Sequence, residues 1–166
     1  MVTLDQLIAS FEASAPPSTG QEEIVAFERK LGIELPPVLR QLLAARDGGD
    51  VYPCYRIRWP DKAFVSGYGA AGIAQIFGLR RDPWQRIVPL RDYFTGIEAS
   101  VEGVPDHIYT FADDWGGNVL TFDAVSGEIG FVDHETFGGR FDDPDPRWVV
   151  AKDFDALLQR LEVEAE

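Results

Sequence analysis

The 166-residue chain carries 28 acidic against 15 basic side chains, a net charge of −13, with 45% hydrophobic and 12% aromatic residues. That size and composition exclude a disordered chain and predict one domain, residues 1–166, with a core of its own. A lone cysteine, Cys54, excludes an internal disulfide and suits a reducing cytoplasm; there is no apolar run of about 18 residues to span a membrane, and the opening MVTLDQLIASFE lacks the basic start and apolar centre of a signal peptide.

Leu4, Leu7, Ile8 and Phe11 recur at helical spacing, with Thr3 and Gln6 placed to form a capping box. SAPPSTG (residues 14–20) interrupts that helix. A second helix is predicted from Thr19, with Glu22 in its capping box, Ile24, Phe27 and Leu31 inward, and Gly32 as its left-handed end. ELPP opens a third, because proline suits a first turn whose N–H has no helical partner. Leu39, Leu42 and Leu43 form its inner face, and Asp47-Gly48-Gly49 ends it.

From Val51 the period changes. VYPCYRIRW alternates Tyr55, Ile57 and Trp59 with Arg56 and Arg58, a strand with one basic face. SGYGAAGIAQIFG (66–78) is too glycine-rich to assign. RIVPLRDYF (86–94) reads as an extended segment followed by a short helix. HIYTFA, VLTFD and EIGFV are consecutive strands, joined by turns at 114–118 and 124–127. FGGRFDDPDP is loop and RWVVA a short strand. Asp153 caps a last helix with Phe154, Leu157, Leu158 and Leu161 inward, and Asp155 in its first turn favours the helix dipole. Helices, then strands, then one helix predict an α+β fold: N-terminal short helices, a mostly antiparallel sheet and a C-terminal helix.

Charge is unevenly spread. Residues 28–91 hold eleven of the fifteen Lys and Arg, whereas residues 113–145 hold nine acids against Arg140 alone. Such acidity repels nucleic acid and attracts basic partners, and an equal expectation is that it serves solubility alone. Arg56, Arg58, Arg80, Arg81 and Arg86 do lie near Tyr55, Trp59 and Trp84, an interleaving that suits single strands. The competing expectation, favoured by the net charge, is that these arginines pair with the protein's own acids.

Motifs for chemistry are sparse. Asp113, Asp114, Asp123, Asp133, His134 and Glu135 contain no HExxH, no paired CxxC and no DxDxDG spacing, so no metal is expected. Cys54 has no histidine near it in sequence, Ser66 and Ser126 lie in no GxSxG elbow, and GYGAAG lacks a phosphate-binding lysine. No cofactor is expected, and no catalytic residue is assigned. FADDWGGNVLTFD (111–123) reads instead as a hairpin: Gly116, Gly117 and Asn118 tolerate positive φ, and Asp113 and Asp114 can accept hydrogen bonds from the turn. Trp115 exceeds what a turn needs: the favoured expectation is that it folds back on the sheet, and the alternative is that at an exposed tip it suits a contact anchor.

Read together, four blocks resemble the SUKH superfamily: EEIVAFERKLGIELPPVLRQLLAARDGG (22–49), FADDWGGNVLTFD, GFVDHE (130–135) and DFDALL (153–158). The resemblance implies an α+β domain without catalytic machinery. Many bacterial members look like immunity proteins, each binding a secreted polymorphic or contact-dependent toxin, often a nuclease with a basic cleft. A fungal relative regulates cell-wall synthesis, so a general protein-interaction scaffold is the alternative. A metal-dependent hydrolase built on Asp-His-Glu is the third. On the first reading the partner is a cognate toxin with a basic C-terminal domain, not nucleic acid or membrane. The contact candidates are Asp114, Trp115, Asp133, Glu135, Asp142, Asp143 and Asp145.

Overall fold

The computed structural model describes residues 1–57, 72–94, 103–114, 116–134 and 148–163. Three helices come first, α1 (Leu4–Ala9), α2 (Gln21–Leu31) and α3 (Pro37–Ala45). Strands β1 (Gly49–Ile57) and β2 (Gly72–Ile76) follow, then a 3₁₀ turn at Pro83–Gln85 and the short α4 (Leu90–Phe94). Strands β3 (Ile108–Asp113), β4 (Val119–Asp123), β5 (Ile129–Val132) and β6 (Trp148–Ala151) lead to α5 (Phe154–Arg160) and β7 (Leu161–Val163). The strands form one sheet in the order β6-β5-β4-β3-β2-β1-β7, with every strand pair antiparallel. This is the α+β arrangement that the order of periodicities predicts.

Local rules explain most boundaries. The Thr3–Gln6 capping box is formed at α1, and Gly32 closes α2 at φ 69. The cap of α2 departs from expectation by one residue: Gly20 is the N-cap, and Glu23 Oε2 accepts its N–H at 3.0 Å. Thr19 lies one residue outside the cap, and its hydroxyl donates to Asp47 at 2.7 Å. Residues 86–94 are extended and then helical, as read. Arg86 bridges Gly78, Pro89 bridges Tyr109, and the Thr110 N–H donates to the Val88 carbonyl at 3.0 Å. Leu161 is the second departure. It is buried as expected, but as the first residue of β7, beside β1.

The core lies between the helices and the central strands. Ile24, Leu39, Leu42 and Leu43 from the helices join Ile76, Phe111, Leu120, Phe122, Ile129, Phe131 and Leu157 in one buried cluster. All residues of β4 and β5 are buried, which requires cover on both faces of the sheet. Each of their Val, Leu, Ile and Phe side chains contributes about 1.5–3 kcal/mol of transfer free energy. In β1, Tyr55 and Ile57 are buried while Arg56 faces solvent, the alternation expected there; Arg58 and Trp59 lie outside the described residues.

The motif blocks act as locks on this core. The Glu28 carboxylate leaves the C-terminal end of α2 to accept the Leu35 N–H at 2.9 Å and sits 3.5 Å from the Arg40 guanidinium. That contact fixes the LGIELP link between α2 and α3. Asp47, 1% exposed, is a second lock. Its Oδ1 accepts from Thr19 Oγ1 at 2.7 Å and the Leu79 N–H at 2.8 Å. Its Oδ2 accepts from Arg80 Nε at 3.0 Å and the Arg80 N–H at 3.2 Å. Burial pushes this carboxyl up, but the donors from Leu79, Thr19 and Arg80 outweigh it and hold it below the usual carboxylate range.

Candidate partner-binding surface

The 114–118 turn is built by Asp114 and Asn118. Asp114 Oδ1 accepts the Gly116 N–H at 2.8 Å and the Asn118 N–H at 3.2 Å, while Oδ2 accepts from Asn118 Nδ2 at 2.8 Å. Gly117 supplies φ 90, and a Cβ there would meet the His134 ring at 3.1–3.3 Å. Asn118 Oδ1 then takes the His134 N–H at 3.1 Å and faces His134 Nδ1 at 3.0 Å. The turn is thereby tied to the end of β5, and two separate motif blocks become one unit.

This geometry assigns the contact candidates unequal standing. Asp114 is partly buried, with both oxygens engaged in its own turn. Asp133 is 1% exposed, its carboxylate covered by protein. Trp115, Glu135, Asp142, Asp143 and Asp145 lie outside the described residues. In sequence Asn118 is only a turn residue, yet it carries the link to His134. Replacing it with alanine removes the Nδ2 donor from Asp114 and the acceptor from the His134 N–H. Asn118→Ala is expected to lower unfolding free energy by about 1–2 kcal/mol in urea titrations; a loss below about 0.3 kcal/mol would show that this link is not holding the turn.

Among the described residues, Arg80, Arg86 and Arg91 of the basic stretch are engaged by the protein itself. Arg80 pairs with Asp47 at 3.0 Å and lies 3.7 Å from Glu23. Its Nη2 also donates to the carbonyls of Pro17 and Ser18 at 3.1 Å. Arg86 donates through Nε and Nη2 to the Arg81 carbonyl at 2.9 and 2.6 Å. Arg91 pairs with Asp106. Trp84 lies edge-on to Tyr93 with ring centroids 6.0 Å apart and remains 46% exposed. Burial pushes the Tyr93 phenol up to about 12, with the Asp113 and Asp114 charges adding to it, so that end of the sheet offers no phenolate near neutral pH.

A second acidic feature lies at the other end of β4. The 123–128 turn is shaped by Asp123, whose Oδ1 accepts the Val125 and Ser126 N–H groups at 2.7 and 3.0 Å. Burial raises this carboxyl, yet the Ser126 and Val125 donors, with a contribution from His107, leave it below the ordinary range. The turn stands beside the starts of α3 and α5, where Asp153 Oδ1 caps the Ala156 N–H at 2.7 Å. Together these segments border an open groove of about 730 Å³. The ELPP, LTFD and DFD stretches, far apart in sequence, each contribute a wall.

Among the described residues no group of three or more His, Cys, Asp and Glu could hold a metal, and no helix is long and apolar enough to cross a membrane. The architecture is that of an α+β protein whose motif residues serve turns, caps and links between elements. The chain belongs to the SMI1/KNR4 family (SUKH-1), whose model matches residues 19–160. No curated protein and no solved structure matches it. The matched span contains all four blocks on which the resemblance rests.

Proposed function

We propose that the protein is a non-enzymatic immunity protein that binds and neutralises a cognate bacterial toxin through an acidic surface. Family membership supports a protein-binding role of this kind. The observation that carries the acidic version is an asymmetry of charge. The net charge is −13, while Arg40, Arg80, Arg86 and Arg91 are engaged by the protein's own carboxylates and carbonyls. A field of that sign speeds capture of a basic domain by about 10- to 1,000-fold at low salt. Rapid capture suits protection against a lethal enzyme, and a basic nuclease is the toxin class with the matching cleft. The second reading, a scaffold or regulatory module without a toxin partner, is favoured by the family's inclusion of SMI1/KNR4-type proteins.

The two readings separate in a pull-down. The tagged protein, expressed in its native cell, is expected to retain at moderate salt one basic toxin domain that elutes as salt rises. Retention of a cell-wall or signalling protein instead would favour the scaffold.

A further inference from the structure

The groove between the 123–128 turn, α3 and α5 combines apolar and acidic walls. Its floor and walls include Leu35, Pro37 and Phe154, and its volume of about 730 Å³ falls within the range of ligand-sized clefts. Glu34, Asp123, Asp153 and Asp155 line it with no Lys or Arg among the lining residues. Val125, at the tip of the turn, is 79% exposed. A turn held by Asp123 and Gly127 needs no valine there, so an apolar side chain stands at the rim of an acidic cleft without a packing role.

The four carboxylates are not equivalent. Asp123 and Asp153 each commit one oxygen to main-chain N–H groups. Their other oxygens lie 3.6 Å from His107 Nε2 and 3.9 Å from Lys152 Nζ. Glu34 and Asp155 are exposed, and neither makes a hydrogen bond or ion pair among the described residues. They are therefore the carboxylates with oxygens uncommitted to a hydrogen bond, although Asp155 also faces the positive end of the α5 dipole.

We propose that this groove is where the basic partner docks, accepting an arginine or lysine whose charge meets Glu34 and Asp155 and whose aliphatic stem lies along Val125 and Pro37. A long cationic side chain matches both features at once, an apolar stem and a charged head. A purely apolar segment matches only the walls, and an acidic one is repelled by the carboxylates. The inference rests on the reading that the partner is basic, and it gives that partner a place on the molecule.

The test uses the whole protein, labelled with ¹⁵N, and two synthetic hexapeptides, one alternating arginine with leucine and one alternating glutamate with leucine. The arginine peptide is expected to shift amide resonances at 34–38, 124–127 and 153–155, and the glutamate peptide to leave them in place. Glu34→Lys with Asp155→Lys should weaken the arginine peptide at least tenfold. Asp5→Lys with Glu22→Lys makes the same change in net charge outside the groove and should weaken it less than threefold. Melting curves of both double variants establish that they are folded. Equal losses in the two variants, or shifts scattered over the acidic surface, would overturn the groove and leave only a general field. Peptide binding elsewhere, with a basic toxin still captured from cells, sinks the groove alone. Capture of no basic protein sinks the reading beneath it.

Discussion

Asp47→Asn is expected to cost about 3 kcal/mol of unfolding free energy, a large share of the 5–15 kcal/mol typical of a domain. The carboxylate accepts four hydrogen bonds, from Thr19, Leu79 and twice from Arg80, while 1% exposed. An amide keeps one acceptor and turns an NH₂ toward the Arg80 donors, leaving buried groups unsatisfied. The guanidinium of Arg80 is 46% exposed, so solvent screens its part, and the main-chain N–H groups and the Thr19 hydroxyl matter more. The pH dependence has a definite sign. A carboxyl held below its ordinary value of 3.8 contributes stability that is complete above that value and disappears as pH falls through the lower, folded one. Urea midpoints of the wild type should therefore fall more steeply than those of Asp47→Asn as pH drops below about 4. Parallel acid limbs for the two proteins would show that Asp47 is not ionised in this network.

Gly48→Ala is expected to be at least as damaging, by about 3 kcal/mol or more. Gly48 has φ 72, and a Cβ there would lie 2.5 Å from Gly78 N, 2.6 Å from Ile76 O and 2.8 Å from Phe77 C. All three are main-chain atoms at the end of β2, which cannot swing aside as a side chain does. The approach is reciprocal, because a Cβ on Gly78 would collide with the Asp47 carbonyl. Soluble expression and thermal melting measure the effect. Gly127→Ala provides the contrast: at φ 82, with nothing within 4 Å of its Cβ, it should lose only about 1 kcal/mol of backbone strain. Equal losses at the two sites would show that conformation, not the close approach of β1 to residues 76–78, sets the requirement.

These two predictions mark the boundary between what the sequence made legible and what it did not. Local signals were read directly. Thr3 and Gln6 form their box, Gly32 ends α2, and Asp114 with Asn118 makes the hairpin turn, because each depends on partners within a few residues. Failures arose where a distant group took over a local one. Thr19 was assigned to a cap, but its hydroxyl is held by Asp47, 28 residues away in sequence. The Asp-Gly-Gly stretch does follow the end of α3 at Ala45, and beyond that local role Gly48 lets the chain pass against the backbone of residues 76–78. Leu161 kept helical spacing with Leu157 and Leu158 and was read as helix; a three-residue strand carries too short a period to compete with that signal.

The candidate site was less legible than the fold for a related reason. A contact residue is defined by exposure, which one sequence does not give. The aspartate-rich loop 142–145 was chosen for its composition and lies outside the described residues. Asp133 shared the same acidic stretch and is buried. The groove at 34–38, 124–127 and 153–155 joins three segments well apart in sequence, and each alone reads as a cap or a turn. Its one sequence-level hint was Val125, an apolar residue in the middle of a polar turn.

The central claim, that this protein protects a cell by occupying a toxin, is tested most directly by co-expression. The domain captured in the pull-down would be induced in a sensitive host, alone and together with this protein. The account predicts that the domain alone stops growth and that the protein restores it, with the two recovered as one stable complex. A domain that is harmless alone, or one that still kills while bound in such a complex, would contradict it.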